Sequence, residues 1–374
     1  MPTDTSLALP QLTRYAIARS LFSPTSLPQA IAKLGFVQAD PIRAPARAQD
    51  LSLRHRVKHY LAGDLERRYP KLQIEEDFFV NYGFLTPQLQ ALMHPRTPYK
   101  AWSPQQASRA EAIAAFVGER GIVHPKDVEA HFAHGTTRNW FGGSSNVSTQ
   151  LLDAMHFRGL LRVARREGGT RLYELRKPTS STAPINAIHS TEAFDALTDA
   201  IVALYAPMPA SSLLQLLGLL TRGVPQWKHL KTAAYQRARQ RLPSAVVSGI
   251  TWYWPVGENP ASTGWQSAET HGDHVRLLAP FDPVVWDRRR FEIFWGWAYR
   301  FEAYTPPAKR LRGYYALPLL WRDQVIGWGN VARQEDRMVV ELGYVRGKAP
   351  SDMAYKRALE EELASMAHFL GLQR

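Results

Sequence analysis

Residues 112–175 carry the pattern that most narrows what this chain can fold into: three short helical periods, then a hairpin with a glycine turn. The spacing predicts helices over 112–120 and 125–132, and a third over 148–158 with Leu151, Leu152 and Met155 on one face. Residues 160–164 and 172–175 alternate as strands around Glu167-Gly168-Gly169-Thr170, a sequence suited to a tight two-residue turn. Three helices followed by a basic hairpin is the chain order of a winged helix. In that reading 148–158 is the recognition helix, and Arg165, Arg166 and Arg171 decorate the wing as phosphate contacts. An ordinary α+β subdomain has the same element order and stays open as the alternative.

At 374 residues the chain suits two to four modules rather than one core. Ahead of the central pattern, 12–22 has helical spacing, and Ser26 can cap a second helix that Gly35 ends. Residues 36–40 then read as an extended segment stopped by Pro41. Beyond it, 177–187 has a linker's composition, with Pro178, Thr179, Ser180, Ser181, Thr182 and Pro184. Helices are expected over 191–205, 211–221 and 227–241, a third helical unit whose wing is hard to see. After Gly249 short aromatic or β-branched runs follow at 252–254, 275–278, 314–320, 325–331 and 338–344, closed by a helix over 354–369. The fold class expected is α+β, with tandem winged-helix domains followed by a C-terminal β-rich domain. The boundaries read as 1–110, 111–178, 188–250 and 251–374.

Forty-six Lys and Arg against thirty-three Asp and Glu leave a formal charge of +13, an excess that favours a polyanionic partner. Between 43 and 71 there are eight basic residues against three acids, with His55 and His59 among them. Such a run is either a solvated helical face or a phosphate-facing surface, in which Arg43, Arg47, Arg54 and Arg56 would touch DNA. Cys is absent, which removes disulfides, thiol catalysis and Cys-ligated metals together. No apolar run reaches the ~20 residues of a membrane span, and no secretory signal precedes the first helix, so the expected compartment is the cytoplasm.

Few residues advertise chemistry. Gln38 and Asp40 lie two apart on the extended segment, so their side chains are expected on one side. Taken alone, Gln-x-Asp is a weak signal, and a polar pair at a strand end accounts for it. Residues 280–290 read Pro-Phe-Asp-Pro-Val-Val-Trp-Asp-Arg-Arg-Arg. Asp282 and Asp287 could be paired acids, but the arginines beside them suggest salt bridges, with Trp286 in the core. Arg288, Arg289, Lys309, Arg310 and Arg312 are candidates for an added phosphate surface. Glu75, Glu76 and Asp77 read as solvated carboxylates. His271-Gly272-Asp273-His274 reads as a loop rather than a metal site, and His124, His131 and His134 lack tight metal spacing. No phosphate-cradling glycine loop is present, and Pro2 lacks the setting of an N-terminal nucleophile.

Residues 280–290, followed by Phe301-Glu302-Ala303-Tyr304, Pro306-Pro307-Ala308-Lys309-Arg310 and Gly313-Tyr314-Tyr315-Ala316-Leu317-Pro318, closely resemble the C-terminal signature of the winged-helix DNA glycosylases of the AlkZ/YcaQ type. Gln38-Ala39-Asp40 matches that family's Gln–apolar–Asp motif, and Ile42, Ala46 and Arg47 fit its continuation. The resemblance implies tandem winged helices and a β-domain around double-stranded DNA. It also implies monofunctional excision of N-alkylated purines, including crosslink unhooking, by a monomer with no metal or organic cofactor. An N7- or N3-alkylated purine is cationic and already a good leaving group, so no general acid is needed. One carboxylate can stabilise the developing sugar cation and take a proton from water. Asp40 is assigned that role, and Gln38 is assigned to hold the water through its carbonyl. Ala39 and Gln49 depart from the common family residues, and Asn81 and Tyr82 stand where better-known members have His and Glu. A non-catalytic winged-helix regulator and a lesion-sensing relative therefore remain open.

Overall fold

The computed structural model describes residues 7–98, 100–138, 144–177, 190–267 and 272–372. The linker read at 177–187 lies, apart from Lys177, outside the described residues, as do Pro2 and His271. The structure is mixed α/β and divides into two compact units. One comprises Met1–Leu65, Thr198–Leu216 and Tyr235–Arg374; the other comprises Glu66–Leu197 and Leu217–Ala234.

In the first unit the N-terminal helices form where proline and capping chemistry place them. Helix Leu9–Ser20 opens with Pro10 in its first turn and buries Leu12, Tyr15, Ala16 and Ile17. Helix Leu27–Leu34 starts after Ser26 and stops at Gly35, whose φ of +73° favours a residue without Cβ. Strand Phe36–Gln38 follows, buried throughout. The extended segment therefore ends two residues sooner than its spacing predicts. A core of Ile17, Leu21, Leu278, Val284, Val285, Phe291 and Leu320, with Trp295 and Trp297 against it, gathers around the segment after Pro280. Burying each such side chain contributes about 1.5–3 kcal/mol.

The C-terminal part of this unit is a four-stranded antiparallel sheet of Val275–Leu277, Leu317–Trp321, Gln324–Gln334 and Arg337–Tyr344, in that order. Strand Gln324–Gln334 alternates, turning Val325, Gly327, Gly329 and Val331 inward. A Cβ on Gly327 would stand 2.1 Å from the Gly343 carbonyl oxygen, so only glycine lets the neighbouring strand approach. Helix Met353–Phe369 is pinned to the first strand, where Leu277 N–H donates to Glu362 Oε1 at 2.7 Å. A small sheet of Met208–Pro209, Ile250–Tyr253 and Ser244–Val247 lies in the same unit. Its hairpin turns through Ser248 and Gly249, both at positive φ.

The second unit contains the central pattern. Helices Pro104–Arg120, Pro125–Phe132 and Val147–Arg158 are capped by Ser103, His124 and Asn146. Strands Leu161–Glu167 and Thr170–Leu175 then pair through Gly168 and Gly169, both at positive φ. Val123 bridges the outer strand at Tyr173. An acidic hairpin, Glu75–Phe78 with Tyr82–Leu85, was not anticipated as strand. Its carboxylates are not solvated. Glu76 and Asp77 are buried at 0% and 1% exposure, each ion-paired to an arginine. The strand hides them because Arg96 and Arg166 arrive from elsewhere in the unit to neutralise them.

Candidate active site

Asp40 follows strand Phe36–Gln38 and is held by its neighbours on both sides. Its own N–H donates to Gln49 Oε1 at 3.3 Å, and Gln49 is buried on helix Ala48–Leu53. Its Oδ1 accepts from Ile42 N–H at 2.9 Å, a local turn that follows from Pro41. Among the described residues Oδ2 has no hydrogen-bond partner. Burial pushes the carboxyl above its ordinary range, and the Ile42 N–H pulls the other way. Asp40 is thus a half-buried carboxylate with one oxygen tied and one available, which suits a base.

Gln38 is buried, and its amide has a definite orientation. The Trp286 indole Nε1 donates to Gln38 Oε1 at 2.9 Å. An indole N–H can only donate, so the oxygen faces Trp286 and the NH2 faces away from it. The carbonyl expected to hold a water thus already accepts one bond from the protein, and the Nε2 donors point away from Trp286. Trp286 is half-buried rather than core, tilted against Tyr205 at 5.0 Å between ring centroids.

Tyr315 adds a second phenol to this part of the unit. It is buried, and its hydroxyl has no hydrogen-bond partner among the described residues. Burial, then the Asp40 charge, pushes its pKa up. Its ring meets Phe301 edge-on at 5.3 Å, and Phe301 meets Phe281 at 5.1 Å. Nothing in the chain order singles out Tyr315 or Trp286 as neighbours of residues 38 and 40.

Segment 280–290 is a structural junction. Asp282 is not bridged by the arginines beside it. It forms a two-point ion pair with Arg56, at 2.7 and 3.0 Å, with both side chains fully buried. Asp287 caps helix Arg288–Trp295 by accepting from the N–H groups of Arg289 and Arg290, both at 3.1 Å. Arg290 is buried and donates to the carbonyls of Tyr205, Pro207, Pro283 and Val284. Arg288 donates to Val285 and Pro280 carbonyls and stacks on Tyr299.

The structure sorts the expected phosphate contacts. Arg43 and Lys309 are exposed. Arg310 is half-buried, donating to the Thr305 carbonyl and lying over Tyr314. Arg312 is half-buried against Trp297 and Trp328. Arg165 is half-buried and paired with Glu167 at 2.8 Å. Arg47, Arg54 and Arg56 are not surface groups. Arg47 is buried, Arg54 is ion-paired to buried Glu362, and Arg56 serves Asp282. Arg166 is committed to Glu76, and Arg171 to Asp153 and the Tyr82 ring. A basic run reads the same in sequence whether its cations face water or buried carboxylates. Tyr82 itself donates to Glu76 Oε2 at 3.0 Å and so supports the buried carboxylate.

The loop that carries Lys309 and Arg310 is held from below. Glu302 is buried and accepts from the N–H groups of Leu311, Arg312 and Gly313, at 3.0, 2.8 and 3.3 Å. Tyr304, Leu311 and Tyr314 project from it into solvent. Among the described residues no group of three or more His, Asp or Glu could hold a metal ion. No helix among them is long and apolar enough to cross a membrane.

The first unit thus carries a half-buried carboxylate, an amide fixed by an indole, and a loop with exposed Lys309 and exposed aromatic rings. The chain belongs to the AlkZ-like DNA glycosylase family, whose model, described as DNA glycosylase AlkZ-like, matches residues 31–369. Its fold is similar to that of Streptomyces sahachiroi DNA glycosylase AlkZ, covering 99% of this chain and 98% of that one, with a TM-score of 0.64. Sequence identity between the two is 14%, so that likeness speaks for the fold alone. The protein is a DNA glycosylase, and its substrate is DNA.

Proposed function

We propose that this glycosylase hydrolyses the N-glycosidic bond of purines alkylated at N7 or N3 in duplex DNA, and that interstrand crosslinks through N7 lie within its range. The observation that carries the reading is the arrangement at Asp40, with Oδ1 tied to Ile42 and Oδ2 uncommitted. Alkylation makes the purine a cation, so the C1′–N bond breaks with its electron pair going to the base, which leaves neutral. The developing sugar cation is stabilised by the Asp40 charge. Water then attacks C1′ and gives its proton to Asp40 Oδ2, leaving an abasic sugar. Gln38 Nε2 donates to that water and fixes its position, with the amide locked by Trp286.

Within this reading the chain acts as a monomer in the cytoplasm, where a bacterial chromosome lies. Its described helices and hairpins are parts of tandem winged helices ahead of a C-terminal β-domain, with 1–110, 111–178, 188–250 and 251–374 as the segments. The order of helices Pro104–Arg120, Pro125–Phe132 and Val147–Arg158 before the hairpin at 161–175 supports it. Arg43 and Lys309 are the phosphate contacts favoured by exposure, and the half-buried Arg165, Arg310 and Arg312 can add to them.

The test is incubation with duplexes carrying a single N7-methylguanine or a nitrogen-mustard crosslink, followed by alkaline cleavage at abasic sites. Cleavage at the lesion is expected from the first duplex, and strand separation with cleavage from the second. Intact strands from both would remove the proposed substrate class.

A further inference from the structure

The first unit contains a cavity of about 730 Å³ that neither Gln38 nor Asp40 lines. Its walls come from the end of helix Leu9–Ser20, from Lys33, from Arg54 and His55, from strand Val275–Leu277 and from helix Met353–Phe369. Polar groups dominate its chemistry, and most of them are internally satisfied. Arg54 is closed on Glu362 and on the Leu277 carbonyl, and Glu362 also accepts the Leu277 N–H at 2.7 Å. His55 faces the same carbonyl through Nε2 at 3.1 Å, so that nitrogen carries the proton. Burial, then the charge of Arg54, holds the imidazole neutral, well below the ordinary range.

Two cations are left over. The Arg276 side chain lines the cavity with no hydrogen bond or ion pair among the described residues. Lys33 stands with Nζ 4.1 Å from the centre of the Phe22 ring, also without a carboxylate. Burial lowers the pKa of Arg276, with Arg56 and Arg54 adding to it and Glu362 opposing. Burial lowers that of Lys33 too, with Arg19 adding and Glu258 opposing. His274, at the cavity wall, is lowered by burial and then by Arg276. The opposing group at the rim is Glu361, exposed and 4.0 Å from Arg357. Three cations, Lys33, Arg54 and Arg276, thus line this cavity against two carboxylates, Glu361 and Glu362, which leaves an excess of positive charge that an anion would balance.

We propose that this cavity is a second ligand site, binding the phosphate group of a nucleotide-sized ligand. Arg276 presents a planar guanidinium fork to two phosphate oxygens, and Lys33 supplies the second charge. A volume of about 730 Å³ is ample for a mononucleotide, since small-molecule sites occupy ~300–1,000 Å³. Ser23, Ser365 and Trp265 on the walls offer hydroxyl donors and an aromatic surface to the rest of the ligand. The phosphate could belong to a free nucleotide or to the DNA backbone, and the two sources behave differently on titration.

The test uses the full chain, wild type and as Arg276→Gln and Lys33→Gln. Lys33 is exposed, so its variant keeps the fold even if Arg276→Gln does not, and Arg276→Lys retains the charge. A deoxynucleoside 5′-monophosphate is titrated by calorimetry, and an undamaged duplex is titrated over a salt series. For a free-nucleotide site, wild type binds the monophosphate and both Gln variants bind it at least tenfold more weakly, with duplex affinity unchanged. For a backbone site, the monophosphate does not bind, and each Gln variant loses about one unit of the slope of log K against log salt. Equal monophosphate binding and equal salt slopes in all proteins would overturn the proposal. Both readouts are independent of base excision, so loss of the glycosylase reading would leave this site standing.

Discussion

The indole nitrogen of Trp286 donates to Gln38 Oε1 at 2.9 Å across 248 positions of chain, joining the family's C-terminal signature to its N-terminal motif. The indole thus fixes the Gln38 amide, two residues before Asp40, the carboxylate proposed to react. Trp286→Phe keeps the ring and removes the donor, freeing the amide to rotate. A hydrogen bond of this kind contributes about 1 kcal/mol net, so the single-turnover excision rate should fall about five- to tenfold. Duplex affinity should not change, because Trp286 acts through Gln38. Binding and single-turnover rates on one duplex check both parts.

Asp40 predicts a pH dependence with a definite sign. A general base must be ionised, so the rate rises as pH rises through the carboxyl pKa. Burial lifts that pKa above the ordinary carboxylate range. The acidic limb of the rate profile should therefore lie at higher pH than an exposed aspartate would give. A folding consequence has the same origin: the buried charge is unfavourable at neutral pH, and protonation relieves it. A rate profile flat from pH 4 to pH 8 would remove Asp40 as the titrating group.

Arg56 is predicted to matter for stability rather than for DNA affinity. Its pair with Asp282 is fully buried, and removing one partner leaves a buried charge without compensation. Arg56→Met should destabilise the fold by about 3–5 kcal/mol. The double variant with Asp282→Asn should recover much of that loss. Thermal melting of the single and double variants measures the coupling, and an unchanged melting temperature in Arg56→Met would refute the buried role.

The second unit should lose stability in mild acid. Its His156 is buried, with Nε2 donating to the Glu76 carbonyl at 2.9 Å, and burial pushes its pKa down to about 4. The unfolded chain binds a proton near pH 6.5, so the contribution is complete above that value. It is lost progressively as pH falls from about 6.5 toward about 4, amounting to at most about 3 kcal/mol. Asp77 acts in the same direction at lower pH. Burial would raise its pKa, but Arg96 and its hydrogen-bonded neighbour His94 outweigh that and hold it below the ordinary range. Denaturant titrations at pH 7 and pH 5 should differ by less in His156→Gln than in wild type.

Local chemistry made much of the fold legible. Ser26 and Gly35 mark both ends of helix Leu27–Leu34, and Gly168-Gly169 marks the hairpin turn, because each signal is a property of one or two residues. The hairpin at Ser248-Gly249 carried the same kind of signal in weaker form. The partners of charged groups were not legible. Arg56 and Asp282 stand 226 positions apart, and a count of cations cannot tell such a pair from a surface patch. The acids at 75–77 looked solvated for the same reason, since Arg96 and Arg166 come from other elements. At the candidate site the motif Gln38-x-Asp40 could be matched to a family. The indole that orients it and the phenol at Tyr315 could not be found from spacing.

The central claim is that Asp40 carries the hydrolysis. Its most direct test is single-turnover release of N7-methylguanine from a duplex by wild type and by Asp40→Asn, with the affinity of each for that duplex measured alongside. A base of this kind contributes ~10²–10⁴-fold, so Asp40→Asn should bind as wild type does and release the base at least a hundredfold more slowly. Release at the wild-type rate by Asp40→Asn would contradict the account.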